Sequence, residues 1–506
     1  MTAPGPLSPI DWLMPRTYIR QMLCFPASAS QNISGGSDIA YALRDGLTAT
    51  AVQVPYLRSR IVSLAHPHGA VGMSAPDQSI WSLFDVRNVS RNYNYATLRG
   101  CGFPPDILGR GEFMPVTAMA NSDGDDKDEE PVFRARLSLV EGGFVLGVAV
   151  HHSTTDITGL GTLLKIWAAN SRRSRNGGCD ITDIGLKDGL VTAAMLDRAA
   201  VRDLGLGVAE PDIPKTIPSV LFFQDGEPAP KPDPATPQPV FTTAIFRFTP
   251  DSLKELKALI TVNHMLEWIA ADVPWVSTGD FLTALLWSAL IAAEIGPERC
   301  AALSEDSPEP IPSYADSMTI SIPANFRARC EPPLSPDYLG AAFGRVAVSV
   351  PTLDLWRLAM AIKLCPADDH REPTFENPDS RVIMAKIAAE IRRALTSQIN
   401  ARSIPAAVAY TMSRPDIAAM KRQRAEGITM VSWAEQGVCA LDWGLSGVGR
   451  CEAVRLSKMS GKRYPIVLPR SQDGGLEVIL SLEAAEMERF REVWLMKRFS
   501  ELRCLV

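Results

Sequence analysis

The sequence predicts an α/β protein of mixed strand and helix layers arranged in two halves, and three observations carry that expectation. The chain has 506 residues, more than one ordinary core holds, so two large domains are the natural division. Stretches of period-two and of helical apolar spacing intermingle along both halves, the pattern of layered α/β structure. Between them, prolines stand at 228, 230, 232, 234, 237 and 239 without hydrophobic periodicity, the composition of an extended surface linker. The expected organisation is therefore an N-terminal domain over 1–223, a proline-rich crossover over 224–240 and a C-terminal domain over 241–506.

Composition narrows the class of function. Apolar residues make up 46% and charged residues 21% of the chain, with a net charge of −6. That balance is globular and offers no basic surface for nucleic acid or an anionic membrane. No basic segment followed by an apolar core marks a secretory signal. No apolar run reaches the ~20 residues of a bilayer span, and the best one, 281–293, is short and interrupted by polar residues. The nine cysteines are scattered and include no CxxC, so neither a zinc site nor a disulfide framework is expected. A reduced, cytoplasmic setting fits.

In chain order, Leu7-Ser8-Pro9-Ile10-Asp11 reads as a turn and is followed by a short extended run. Ile39, Leu43 and Leu47 have helical spacing, and Val54-Pro55 ends that helix. The acidic run 123–130 reads as a solvated loop. Residues 133–139 alternate with period two, Gly142-Gly143 turns the chain, and 144–150 is a second, apolar strand, together a hairpin. Past the prolines, 241–248 is a strand and Thr249-Pro250-Asp251 opens a helix. Ser277-Thr278-Gly279-Asp280 caps a strong helix over 281–293. A strand over 318–323 precedes Asn325-Phe326-Arg327-Ala328-Arg329, and 384–395 is amphipathic. Residues 430–433 read as a strand, and 438–444 as a strand running into a glycine turn. The last expected elements are a strand over 477–482 and a closing helix over 483–495.

The stretch that draws the chemistry is His151-His152-Ser153-Thr154-Thr155-Asp156, at the end of the buried strand and before the helix 160–169. A histidine on such a turn has a rigid base and a reachable tip. An imidazole with an ordinary pKa near about 6.5 suits general-base work near neutral pH. Ser153 follows His152 directly but stands in no nucleophile motif, which suits direct transfer to an attacking acceptor. The plain alternative is two histidines capping a strand end. Other chemistries match less well. Gly444-Leu445-Ser446-Gly447-Val448-Gly449 has Val448 where a nucleophile elbow needs glycine. Ser460-Gly461-Lys462-Arg463 lacks the upstream glycine and the following hydroxyl of a phosphate loop. His66 and His68 have metal-like spacing but no third ligand nearby, so no metal site is expected.

The order of motifs adds a family resemblance over nearly the whole chain. His152-x-x-x-Asp156 after a strand, then Asn325-Phe326-Arg327-Ala328-Arg329-x-x-Pro332-Pro333-x-x-x-x-Tyr338-x-Gly340, then Asp442-Trp443-Gly444 resemble the BAHD superfamily of acyl-CoA-dependent acyltransferases. The likeness is to fungal members such as the trichothecene 3-O-acetyltransferases. The resemblance implies two domains, each like chloramphenicol acetyltransferase, with a solvent channel between them, in a monomer. It implies His152 as general base for a hydroxyl, before an amine, of a small secondary metabolite. The acceptor would attack acyl-CoA, an acetyl donor foremost, without an acyl-enzyme and without a permanently bound cofactor. Asp156 would pair with Arg327 and hold the turn's shape. Asp442 and Gly444 would support the site from a distance. Candidates for lining the substrate or CoA channel are His151, Ser277, Thr278, Trp443 and Ser446.

The chain departs from the family pattern in three places. Ile157 follows Asp156 where a glycine is usual, Ala341 follows Gly340 where an asparagine is common, and Leu445-Ser446 follows Gly444 where the family's second Trp and Gly stand. The motif pattern therefore assigns no group to steady the tetrahedral intermediate. Two other readings stay open: a carrier-protein-dependent condensation-type enzyme of the same fold, and a non-acylating scaffold that binds a polyketide-like ligand.

Overall fold

The computed structural model describes residues 5–27, 36–116, 130–175, 191–224, 239–261, 273, 275–294, 317–363, 378–422, 427–459, 461 and 464–506. Most of the acidic run, residues 225–238 of the proline-rich stretch and Lys462 lie outside them.

A five-stranded sheet organises the first half, in the order Ala453–Arg455, Tyr18–Pro26, Gly143–His151, Phe133–Val140 and Phe84–Asn88. The pairs are antiparallel except the last, where 84–88 runs parallel to 133–140. All nine residues of the central strand Gly143–His151 are buried, which explains its apolar run. Because side chains alternate across a sheet, Leu146, Val148 and Val150 pack with Leu160, Leu163 and Trp167 of the helix Ile157–Arg175. Val145 and Ala149 face the other way, onto Tyr18, Met22, Leu98 and Phe113. The strand is thus fixed from both sides before its last residue.

The second half holds a five-stranded sheet in the order Val431–Ser432, Ile466–Val467, Leu476–Glu483, Phe241–Phe248 and Glu501–Leu505. A smaller sheet pairs Ser317–Asn325 with Phe343–Pro351 in antiparallel register, Asn325 opposite Phe343, and adds Ile428–Thr429 in parallel. The loop 326–342 therefore leaves and re-enters the sheet at one point. The helices Thr278–Glu294, Thr352–Lys363 and Pro378–Ser397 cover this half, and the middle of the first is buried nearly all round.

The cores interlock across the proline-rich stretch. Leu339, Val438, Trp443, Leu445 and Val454 join the core of the first half. Ile10, Leu13, Val201, Leu204 and Leu221 join that of the second.

Four elements differ from the sequence expectation. Leu7–Asp11 is no plain turn: Ser8 and Asp11 close a capping box on the short helix Pro9–Trp12, the reciprocal arrangement that satisfies helix-start donors. Val438–Gly444 is not a strand. After Gly437, at φ +74°, it makes a single 3-10 turn, and its apolar residues fill the first core without a strand partner. The closing helix breaks at Val493, which is extended and buried, into Ala484–Glu492 and Trp494–Phe499. The chain's last element is a strand, Glu501–Leu505, on the edge beside Phe241–Phe248. No helix among the described residues is long and apolar enough to cross a membrane.

Candidate active site

The strand's parity separates the two histidines. Tyr18 and His151 lie opposite each other in the antiparallel register, so both point to the same face, and their rings meet edge-on at 5.3 Å. His151 is buried; its Nδ1 accepts from the Ser153 N–H at 3.2 Å, so its Nε2 donates to Glu130 Oε2 at 3.1 Å. Burial lowers its pKa and outweighs the bond to Glu130, so His151 is a neutral core residue.

His152 starts the single 3-10 turn His152–Thr154, where strand alternation ends and the chain swings into a cavity. Its backbone N–H donates to Thr17 O at 2.8 Å, and its Nδ1 lies 3.1 Å from Thr155 O. A carbonyl only accepts, so Nδ1 carries the hydrogen and Nε2 carries the lone pair. The ring lines a cavity of about 210 Å³ together with Leu13, Met14, Phe222, Phe343 and Trp433.

Every other residue of the turn is tied down. Ser153 Oγ accepts from Arg16 at 2.8 Å, and Thr154 O accepts from Arg198 Nη2 at 2.8 Å. Asp156 is buried and takes Arg327 in a two-pronged pair, Nη1 to Oδ2 and Nη2 to Oδ1, both at 2.9 Å. Its oxygens also accept from the Gly159 N–H and the Ala342 N–H, each at 2.8 Å. Burial pushes the Asp156 carboxyl upward, but the Arg327 charge and these hydrogen bonds outweigh it, and its pKa ends below the ordinary value. Arg327 spends its remaining donors on Tyr338 O, Gly340 O and Asn325 Oδ1. Gly159 is required here, since a Cβ on it would stand 2.3 Å from Thr155 Oγ1 and 2.8 Å from Leu339 O.

A second buried pair runs beside the first. Asp11 Oδ2 accepts from Arg198 Nη1 at 3.3 Å, and Oδ1 accepts from the Ala341 N–H at 2.9 Å. The segment 340–342 is thus gripped by two carboxylates, and the two guanidiniums reach Thr154 and Asp156 of the turn. Asp11 and Arg198 were not candidates from sequence. The signal for Asp11 was Ser8-x-x-Asp11, a capping-box spacing; no pattern marks Arg198.

The other sequence candidates lie elsewhere. Asp442 Oδ1 accepts from the Gly444 N–H at 2.8 Å, and Arg172 stands 3.5 Å from Oδ2, so this turn rests on the far end of the helix Ile157–Arg175. Gly444 sits at φ +66°, and a Cβ on it would stand 2.7 Å from Arg172 Cα. Trp443 is in the first core, edge-on to Trp167 at 5.4 Å and to Phe25 at 6.1 Å. Ser277 caps the helix Thr278–Glu294, and its Oγ accepts from Arg392 at 2.8 Å. Ser446 is exposed on the surface. His151, Ser277, Thr278, Trp443 and Ser446 are absent from the described cavity lining, which parity, core packing and helix capping account for. Among the described residues no group of His, Cys, Asp and Glu could hold a metal ion, and His68 instead pairs with Asp416 at the surface.

Residues 17–170 match the trichothecene 3-O-acetyltransferase-like N-terminal domain family, and residues 109–356 match the transferase family. The chain is similar to the eremophilane O-acetyltransferase ORF8 of Penicillium roqueforti, 23% identical over 98% of each chain. It is also similar to the trichothecene 3-O-acetyltransferase TRI101 of Fusarium sporotrichioides, 25% identical over 94% of this chain and 92% of that one. The crystal structure of F. sporotrichioides TRI101 complexed with coenzyme A and T-2 superposes with a TM-score of 0.73 at 20% identity, covering 99% of this chain and 100% of the other. The two share a fold.

Two expectations follow from this geometry. Asp156→Ala leaves the Arg327 guanidinium buried without its carboxylate and should cost about 3–5 kcal/mol of stability, read from the denaturant midpoint; a variant as stable as the wild type contradicts the clamp. Acid should also weaken the fold in two steps. His151 and Asp156 both have folded pKa values below their unfolded ones, so the unfolded chain binds more protons and stability rises with pH. The His151 share is full above about 6.5 and fades as pH falls, and the Asp156 share follows below about 4. The melting temperature should therefore drop between pH 6.5 and 5, and His151→Gln should flatten that limb; an unchanged slope in the variant contradicts the assignment.

Proposed function

This chain belongs to the BAHD superfamily of acyltransferases, and from that membership we propose that it moves an acetyl group from acetyl-CoA to a hydroxyl of a small, uncharged secondary metabolite. The observation that carries the reading is His152: its Nδ1 is committed to Thr155 O, and its ring lines the cavity. That leaves the Nε2 lone pair as the proton acceptor.

The lining supports the acceptor class. His152 and Asp156 are the ionisable side chains with acidic or imidazole character among the described lining residues, and the Asp156 oxygens are occupied by Arg327, Gly159 and Ala342. A protonated amine would enter without a carboxylate to receive it, at a desolvation cost that a neutral alcohol avoids. Ile10, Leu13, Val220, Leu221 and Phe343 offer apolar contact to a compact carbon skeleton. The curated relatives named above act on eremophilane and trichothecene compounds by their names, which agrees with such an acceptor.

The steps follow from the side chain. His152 Nε2 takes the acceptor's hydroxyl proton as its oxygen attacks the thioester carbonyl carbon, and the carbonyl π electrons move to oxygen. Collapse re-forms the carbonyl and breaks the carbon–sulfur bond, and the imidazolium returns its proton to the departing thiolate. No acyl-enzyme forms. Asp156 does not enter the proton path; it keeps the turn in place.

His152→Ala should lower turnover of acetyl-CoA and a neutral terpenoid alcohol by about 10²–10⁴-fold with an unchanged melting curve. Turnover near the wild-type value would contradict the assignment.

A further inference from the structure

Transfer through His152 builds negative charge on the thioester carbonyl oxygen, and a positioned donor must meet it. The C-terminal turn does not supply one: Leu445 follows Gly444, and Trp443 is packed against Trp167. The cavity wall itself carries a different pair. Asn325, the last residue of the strand Ser317–Asn325, and Thr158, in the first turn of the helix Ile157–Arg175, line the same cavity as His152.

The Asn325 amide is oriented by a neighbour it cannot misread. Its Oδ1 accepts from the Arg327 backbone N–H at 2.9 Å and from Arg327 Nη1 at 3.3 Å. Only the oxygen end accepts, so the NH₂ end points the other way. There it stands 3.5 Å from Thr158 Oγ1, the outer edge of a hydrogen bond. Neither group is held tightly by the other, and Thr158, accepting that contact, has its O–H left to donate. The support is rigid. Arg327 grips Asp156 at the foot of the helix that carries Thr158 and also sets the Asn325 amide. One guanidinium therefore fixes the base's turn and both donors relative to one another, the pre-organisation such a site needs. Ser432 reaches the cavity from a different sheet and does not share this anchor.

We propose that Asn325 Nδ2–H and Thr158 Oγ1–H receive the thioester carbonyl oxygen as it becomes an oxyanion, a role that rests on the acyl-transfer reading above. The donors form no covalent bond: they hold the oxygen while the carbonyl electrons reside there, and release it when the carbonyl re-forms and the thiolate leaves.

Three variants test it: Asn325→Asp keeps an oxygen for the Arg327 N–H but sets a carboxylate against the oxyanion, Thr158→Val removes one hydroxyl, and Thr158→Ser returns it. Each is assayed with acetyl-CoA plus a neutral sesquiterpene alcohol, with acetyl-CoA alone for thioester hydrolysis, and by thermal melting. Asn325→Asp and Thr158→Val should lose about 10²–10³-fold in kcat, with the acceptor KM within about twofold and the melting temperature unchanged. Thr158→Ser should recover most of the loss. Hydrolysis should fall in parallel, because water attack builds the same oxyanion. Variants within about threefold of wild-type kcat overturn the inference, as does a loss confined to acceptor KM with hydrolysis intact. Wild type and His152→Ala run alongside: an inactive wild type, or a His152→Ala that matches it, overturns the acyl-transfer reading and this inference with it. Activity lost in His152→Ala but kept in both donor variants overturns this inference alone.

Discussion

The site depends on one buried ion pair. Asp156 and Arg327 are 171 residues apart in sequence and meet with both prongs at 2.9 Å. Burying two charges is costly, and Coulomb attraction offsets that only when the remaining donors and acceptors also find partners. Here they do. The carboxylate accepts two backbone N–H groups besides the guanidinium, and the guanidinium donates to two carbonyls and an amide oxygen besides the carboxylate. The pair is a joint with a defined shape. It welds the foot of a helix in the first half to the loop 326–342 that leaves a sheet in the second.

That joint separates two jobs that a His and an Asp four residues apart invite a reader to merge. All Asp156 oxygens are spoken for, and the His152 ring is oriented by a backbone carbonyl, Thr155 O. The Nδ1 partner of His152 is thus a neutral carbonyl, while the Asp156 carboxylate is committed to Arg327 and two backbone N–H groups. The Asp11–Arg198 pair works in the same manner on the adjoining residues, so the turn and the segment 340–342 are clasped twice.

How much of this the sequence disclosed follows from the physics of each residue. The α/β layering was legible because strand and helix periods are local, as with 133–140, 143–151 and 157–175. His152, Asp156 and Arg327 stood out through the ordered motifs, and their chemistry could be named before their geometry. His151 belongs to the core because strand parity faces it toward Tyr18, a consequence of register that one strand alone does not reveal. Trp443 looked like a turn residue beside a channel, yet its ring fills the first core against Trp167; apolar burial by a distant segment has no periodicity. Asp11 and Arg198 went unseen for a related reason. Ser8-Pro9-Ile10-Asp11 reads as a turn, and the arginine that completes the pair lies 187 residues away. Asn325 was quoted within a motif, but which end of its amide faces the cavity is decided by the Arg327 N–H.

The clamped turn presents His152 with hydrogen on Nδ1 and a lone pair on Nε2. Nitrogen-15 NMR of the histidine-labelled protein above the imidazole's titration range reads this directly, with His152→Ala identifying the resonances. A protonated Nδ1 and an unprotonated Nε2 are expected for His152, and the reverse for His151. A His152 ring found with its hydrogen on Nε2 would contradict it.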